Sequence, residues 1–87
     1  MSKLSPMFVS VSFLGLQRML TRTDRIQVPL TRETRVADVL AYVKKSFPDL
    51  PFPENAFLVT VNNRAATMDR VLAGNDDISF LPFIGGG

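Results

Sequence analysis

Val36-Ala37-Asp38-Val39-Leu40-Ala41-Tyr42-Val43-Lys44-Lys45-Ser46-Phe47 is the stretch on which the fold turns. Val36, Val39, Leu40, Val43 and Phe47 fall at i, i+3, i+4, i+7 and i+11, so all five share one helical face, while Asp38, Lys44 and Lys45 lie elsewhere. The spacing predicts an amphipathic helix. Thr34 is the expected N-cap, Lys44 and Lys45 suit the negative C-terminal end, and Pro48 stops the helix after Phe47. Such a helix must lay its apolar stripe on another element.

The residues on either side supply that element. Upstream, Val9, Val11 and Phe13 alternate with Ser10 and Ser12, which predicts a half-buried strand from about Met7 to Phe13. Ile26, Val28 and Leu30 repeat the alternation after a polar turn over Thr21 to Asp24, giving a hairpin with Pro29 near an exposed edge. Downstream, Pro48, Pro51 and Pro53 are expected to hold an extended crossing. Phe57, Val59 and Val61 then alternate in a third strand, and Asn62-Asn63 tolerate the positive φ of a tight turn. Arg64 to Thr67 would return as a short strand. After a turn at Gly74-Asn75-Asp76, Ile78 and Phe80 alternate in a last strand that Pro82 ends. The order β, β, α, β, short β, β implies an α+β layer with the helix across one sheet face and the first and last strands adjacent at the centre. The C-terminal residues then follow directly on a buried strand.

With 87 residues, 46% of them hydrophobic and 21% charged, the chain is expected to form a single domain over 1–87, with 1–6 flexible and 83–87 projecting as a tail. It contains no Cys and no His, which excludes thiol and imidazole catalysis, disulfides and the usual zinc sites; no metal site and no catalytic residue are expected. Ten Lys+Arg against eight Asp+Glu give a net charge of +2, too small and dispersed for a nucleic-acid stripe. The longest apolar-rich stretch, Met7 to Leu16, is short of the roughly 20 residues that span a bilayer, and no small-x-small cleavage site follows it. No membrane role is expected, and the cytoplasm is the default location. Asp76-Asp77 reads as turn solvation, since adjacent residues point apart on a strand. Lys44-Lys45 reads as a solvated helix end, and Arg18, Arg22 and Arg25 as solvated hairpin charge.

The chain ends Phe83-Ile84-Gly85-Gly86-Gly87, so three of its five glycines are its last three residues. Without Cβ atoms, Gly85, Gly86 and Gly87 can enter a channel too narrow for side chains. From Phe83 onward the segment could extend roughly 17 Å. The segment Leu72-Ala73-Gly74-Asn75-Asp76-Asp77-Ile78-Ser79-Phe80-Leu81-Pro82 with the terminal glycines, together with Val59-Thr60-Val61-Asn62 and Val36-Ala37-Asp38-Val39-Leu40, resembles the ubiquitin-like sulfur carriers of the MoaD/ThiS family over Val9 to Gly87. Asn75 stands where that family usually has Gly, Phe83 replaces a second proline common in molybdopterin-synthase small subunits, and Gln17 interrupts their usual Leu-Arg.

The resemblance implies a β-grasp (ubiquitin-like) mixed sheet with one main helix and a Gly-rich C-terminal tail. It also implies that the protein is a carrier, or the small non-catalytic subunit of a sulfurtransferase such as molybdopterin synthase, and not itself an enzyme. The functional group would be the Gly87 carboxylate, adenylated by an ATP-dependent E1-like activating enzyme and converted by a sulfur donor to a thiocarboxylate. No cofactor would be bound; ATP and the sulfur donor belong to the activating enzyme. The sulfur would pass to an acceptor resembling the molybdopterin synthase large subunit, in molybdenum cofactor biosynthesis. Carriers for thiamine thiazole or cysteine synthesis, a ubiquitin-like modifier joined to lysines, and a non-covalent β-grasp adaptor are the competing readings. By strand parity Leu58 and Leu81 face away from the helix; with Phe8 and Phe83 they are candidates for a partner-binding apolar patch near the tail.

Overall fold

The computed structural model describes residues 7–50 and 57–82. Each alternating run becomes a strand: β1 (Met7–Ser12), β2 (Arg25–Leu30), β3 (Phe57–Val61) and β5 (Asp77–Pro82), with a two-residue β4 (Arg64–Ala65). The helical run becomes α2 (Val36–Ser46), and a second helix, α1 (Leu16–Thr21), stands between β1 and β2. The strands form one sheet in the order β2-β1-β5-β3-β4. Its central pair, β1 and β5, is parallel with Ser10 opposite Asp77 and Ser12 opposite Ser79, while the β1–β2, β3–β5 and β3–β4 pairs are antiparallel. This is the β-grasp arrangement, with its first and last strands adjacent as the pattern predicts.

One face of the sheet is the core. Val9, Val11, Val28, Val59, Val61, Ile78 and Phe80 are buried on it and cluster with Val36, Val39, Leu40 and Val43 of α2. Two edge-to-face ring contacts pin its ends, Phe13 with Phe47 at 5.5 Å and Phe57 with Phe80 at 5.9 Å. The first N–H groups of α2, which have no partner within the helix, donate outward: Val36 to Arg70 C=O and Ala37 to Met68 C=O, both 3.0–3.1 Å. The segment between β4 and β5 thus wraps the start of α2. Pro29 sits exposed on β2, an edge strand, where a missing N–H costs least.

Several expectations need correction. The link from β1 to β2 is not a simple turn, because α1 occupies its middle. The N-cap of α2 is Arg35, whose N–H donates to the Asp38 carboxylate at 2.9 Å, while the Thr34 hydroxyl accepts from Thr31 N–H one turn earlier. After Phe47 the chain turns at once at Pro48-Asp49, and Leu50 tucks into the core. Pro51 and Pro53 lie outside the described residues, as do 1–6. Asp76 is buried and hydrogen-bonded where solvation was expected: its carboxylate accepts from Asn62 Nδ2 and from Ala73 N–H, both at 2.8 Å. Asn62 returns the contact by accepting from Asp77 N–H at 2.9 Å, and Ser12 Oγ donates to the Asp77 carboxylate at 2.8 Å. The two carboxylates take different partners, Asp76 in the turn and Asp77 at the start of β5. Asn62, Asn63 and Asn75 adopt the positive φ their turns require.

Candidate functional site

The residues nearest the tail are those at the C-terminal end of β5. Leu81 lies directly opposite Leu58 in the antiparallel register, on the sheet face away from α2. Leu58 is 37% exposed and Leu81 is half-buried, so the structure brings this pair together as a small apolar spot beside the last described residues. Phe8 shares that face but not that place. It pairs with Pro29 on β2, and its C=O accepts from Asn75 N–H, level with the start of β5. At about 3.3 Å per residue, Phe8 and Leu81 are separated by about 20 Å along the strand direction. Phe8 therefore does not join Leu58 and Leu81 in one patch. Phe83, Gly85, Gly86 and Gly87 lie outside the described residues.

β3 pairs with β5 up to Pro82, and what holds β5 at that end on its other side comes from a residue the sequence marked only as a departure. Ser10 N–H donates to Asp76 C=O in the parallel ladder, and the same ladder continued would bring Leu14 N–H to Phe80 C=O. β1 has already ended there. Gln17, on α1, reaches in instead: its Nε2 donates to Phe80 C=O at 2.7 Å, a buried contact. A side-chain amide thus carries the ladder one step beyond the strand that supplied it. The other atom of that amide, Oε1, is buried with no hydrogen-bond partner among the described residues. Gln17 is the one residue that α1 buries.

Around this anchor the surface is apolar. Leu14, Leu16, Met19 and Leu20 are all exposed large hydrophobics, clustered within seven positions of sequence. Sequence reading missed them, because it took the chain between the first two strands for a hairpin connection and placed no helix there. Arg18 pairs with Asp24 at 3.6 Å with both side chains exposed, in keeping with surface charge. Among the described residues no cluster of His, Cys, Asp or Glu could hold a metal ion, and no helix is long and apolar enough to cross a membrane.

The model of the ThiS family matches residues 11–87. No curated protein sequence matches the chain. Solved structures share the fold at low sequence identity. SAMP1 of Haloferax volcanii superposes with a TM-score of 0.77 at 17% identity, covering 92% of this chain and 99% of its own. A Pyrococcus furiosus protein described as molybdopterin converting factor subunit 1 gives 0.75 at 24%, covering 90% and 99%. A chain of the Amycolatopsis orientalis BexX/CysO complex gives 0.66 at 19%, covering 91% and 99%.

Proposed function

This chain belongs to the ThiS family of ubiquitin-like sulfur carriers and modifiers, and from that membership we propose that it is a sulfur carrier whose working group is the Gly87 carboxylate. The observation that supports this reading is that the family match runs from β1 through the whole domain and across Gly85, Gly86 and Gly87. A carboxylate oxygen of Gly87 attacks the α-phosphorus of ATP and expels pyrophosphate, giving an acyl-adenylate. Hydrosulfide released by a sulfur donor then attacks the acyl carbon, the acyl–phosphate bond breaks with AMP as the leaving group, and the thiol proton is lost to solvent; the resulting thiocarboxylate carries the sulfur to an acceptor enzyme.

The chain has no His and no Cys, so activation is assigned to an E1-like enzyme and this protein is its substrate. Gly85 and Gly86 give the tail the bare backbone that a narrow active-site channel admits. Leu58, Leu81 and Phe83 are proposed to meet the partner beside the tail. We take the recipient to be an acceptor like the molybdopterin synthase large subunit, because Pro82 and the long first hairpin resemble that subgroup, and the cytoplasm to be where this ATP-dependent chemistry runs.

Intact mass after incubation with a purified activating enzyme, ATP and a sulfur donor tests the reading: one oxygen should be replaced by sulfur at Gly87. Deleting Gly87 should abolish the change and leave the fold intact, since an extended terminal residue contributes few contacts. Full activity in that truncation would sink the carrier reading. The fold is shared with a Haloferax volcanii protein named small archaeal modifier protein 1, and a second reading is a modifier of that kind, joined to lysines through the same acyl-adenylate. Abundant Gly87-lysine isopeptides with no thiocarboxylate, in protein recovered from its native cell, would establish it instead.

A further inference from the structure

We propose that the outward stripe of α1, formed by Leu16, Met19 and Leu20 with Leu14 beside it, is a docking handle for the enzyme that activates the tail. The surface it fits is apolar at its centre with carboxylates at its rim. This rests on the carrier reading and adds to it residues beyond the Leu58–Leu81 pair.

The first support is the orientation of α1. Leu16, Met19 and Leu20 stand at i, i+3 and i+4, the spacing that normally turns a helix face toward the core. Here the helix is rotated the other way, with Gln17 buried while Leu16 is 57% and Met19 73% exposed. Burying a polar amide and leaving three large apolar side chains in water gains the isolated domain nothing by hydrophobic burial. The arrangement gains free energy only when another surface covers the stripe.

The second support is charge, and it selects the partner. Arg18, Arg22 and Arg25 rim this lobe against the single carboxylate of Asp24. Asp24 is taken up by Arg18 at 3.6 Å, and Arg22 and Arg25 form no ion pair among the described residues. Two guanidiniums with no ion pair among the described residues, beside an apolar stripe, suit carboxylates placed around an apolar centre, an arrangement that steers encounter and fixes orientation.

The third support ties the handle to the tail. Gln17 Nε2 joins α1 to Phe80 C=O at 2.7 Å, and Leu81 and Pro82 complete β5 just beyond. An enzyme that grips α1 therefore holds the base of the tail in a set position relative to its own active site. That is why the occupant is assigned as the enzyme that takes up the Gly87 carboxylate.

The test is ATP–pyrophosphate exchange with the purified activating enzyme, read as KM and kcat for the carrier. Met19→Glu should raise KM about tenfold or more and leave kcat at saturation unchanged. Arg22→Glu should raise KM about threefold and weaken its dependence on salt. Tyr42→Glu, on the exposed side of α2, should match the native chain. Urea unfolding checks that each variant folds, and Met19→Gln provides a milder version of the same change. A KM for Met19→Glu within twofold of native overturns the proposal, as does an equal loss in Tyr42→Glu. Failure of the native chain itself to support exchange defeats the carrier reading and this proposal together; exchange that ignores α1 defeats this proposal alone.

Discussion

The two helices carry the same local spacing of apolar residues and point it in opposite directions. In α2 the stripe of Val36, Val39, Leu40 and Val43 is sealed against the sheet, and the polar positions face water. In α1 the stripe of Leu16, Met19 and Leu20 faces water, and Gln17 is the residue turned inward. One helix is held by burial; the other is held by a hydrogen bond to β5 and by the chain on either side of it. A hydrophobic stripe states that a helix has a face to cover. It does not state which molecule covers it.

Substituting one buried position of α2 breaks the comparison most severely. Val39 is fully buried, and Val39→Asp would place a carboxylate where no described residue can pair with it. The cost should be about 4 kcal/mol or more, comparable with the whole stability of a small domain. Circular dichroism should show an unfolded or largely unfolded chain at 25 °C. A cooperative unfolding transition near the native midpoint would mean that α2 does not hold the fold.

How legible the molecule was in its sequence follows the same division. β1, β2, β3, β5 and α2 could all be placed because their apolar residues face the protein's own core, which is what periodicity reports. α1 could not: its apolar residues face outward, its buried residue is polar, and at six residues it is too short to show a sustained period. Register was the other blind spot. Parity correctly put Phe8, Leu58 and Leu81 on one sheet face, but parity is silent on height along a strand, and the parallel pairing sets Phe8 at the opposite end from Leu81. Asp76 was misjudged because its partners, Asn62 and Ala73, are brought to it by β3 and by the turn itself.

The next largest effect is at the entrance to α1. Gly15 has φ +55° and ψ −126°, a backbone conformation essentially confined to glycine, and a Cβ there would meet nothing within 4 Å. Gly15→Ala should therefore cost about 2 kcal/mol from backbone strain alone, with no steric clash. Amide exchange should quicken through α1 and stay unchanged in α2. An unchanged urea midpoint would show that α1 can be entered by another path.

The start of α2 offers a smaller contrast. Asp38 accepts the Arg35 N–H at 2.9 Å and places a negative charge in the first turn, whereas α1 begins with no side-chain cap and no acidic residue. Asp38→Ala should cost about 1 kcal/mol by urea unfolding. Asp38→Asn, which keeps an acceptor oxygen but not the charge, should recover part of it. Equal losses in both variants would assign the effect to charge, and no loss in either would remove the cap from the account of α2.

The smallest expected change is the sharpest test of the contrast, because it sits at the position most like Val39 in spacing and least like it in surroundings. Met19 occupies the centre of the α1 stripe and is 73% exposed, so truncating or polarising it removes few contacts. Gln and Met differ little in helix propensity, and their side chains are similar in length, so Met19→Gln leaves the helix its backbone preference while taking away its central apolar atoms. Stability should stay within about 0.5 kcal/mol of native, the range for surface positions. The same substitution in the exchange assay should still raise KM, because the apolar surface is missing when the enzyme arrives. A loss above 1 kcal/mol in the free protein would mean that the chain itself covers this stripe, and α1 would then be an ordinary core helix like α2.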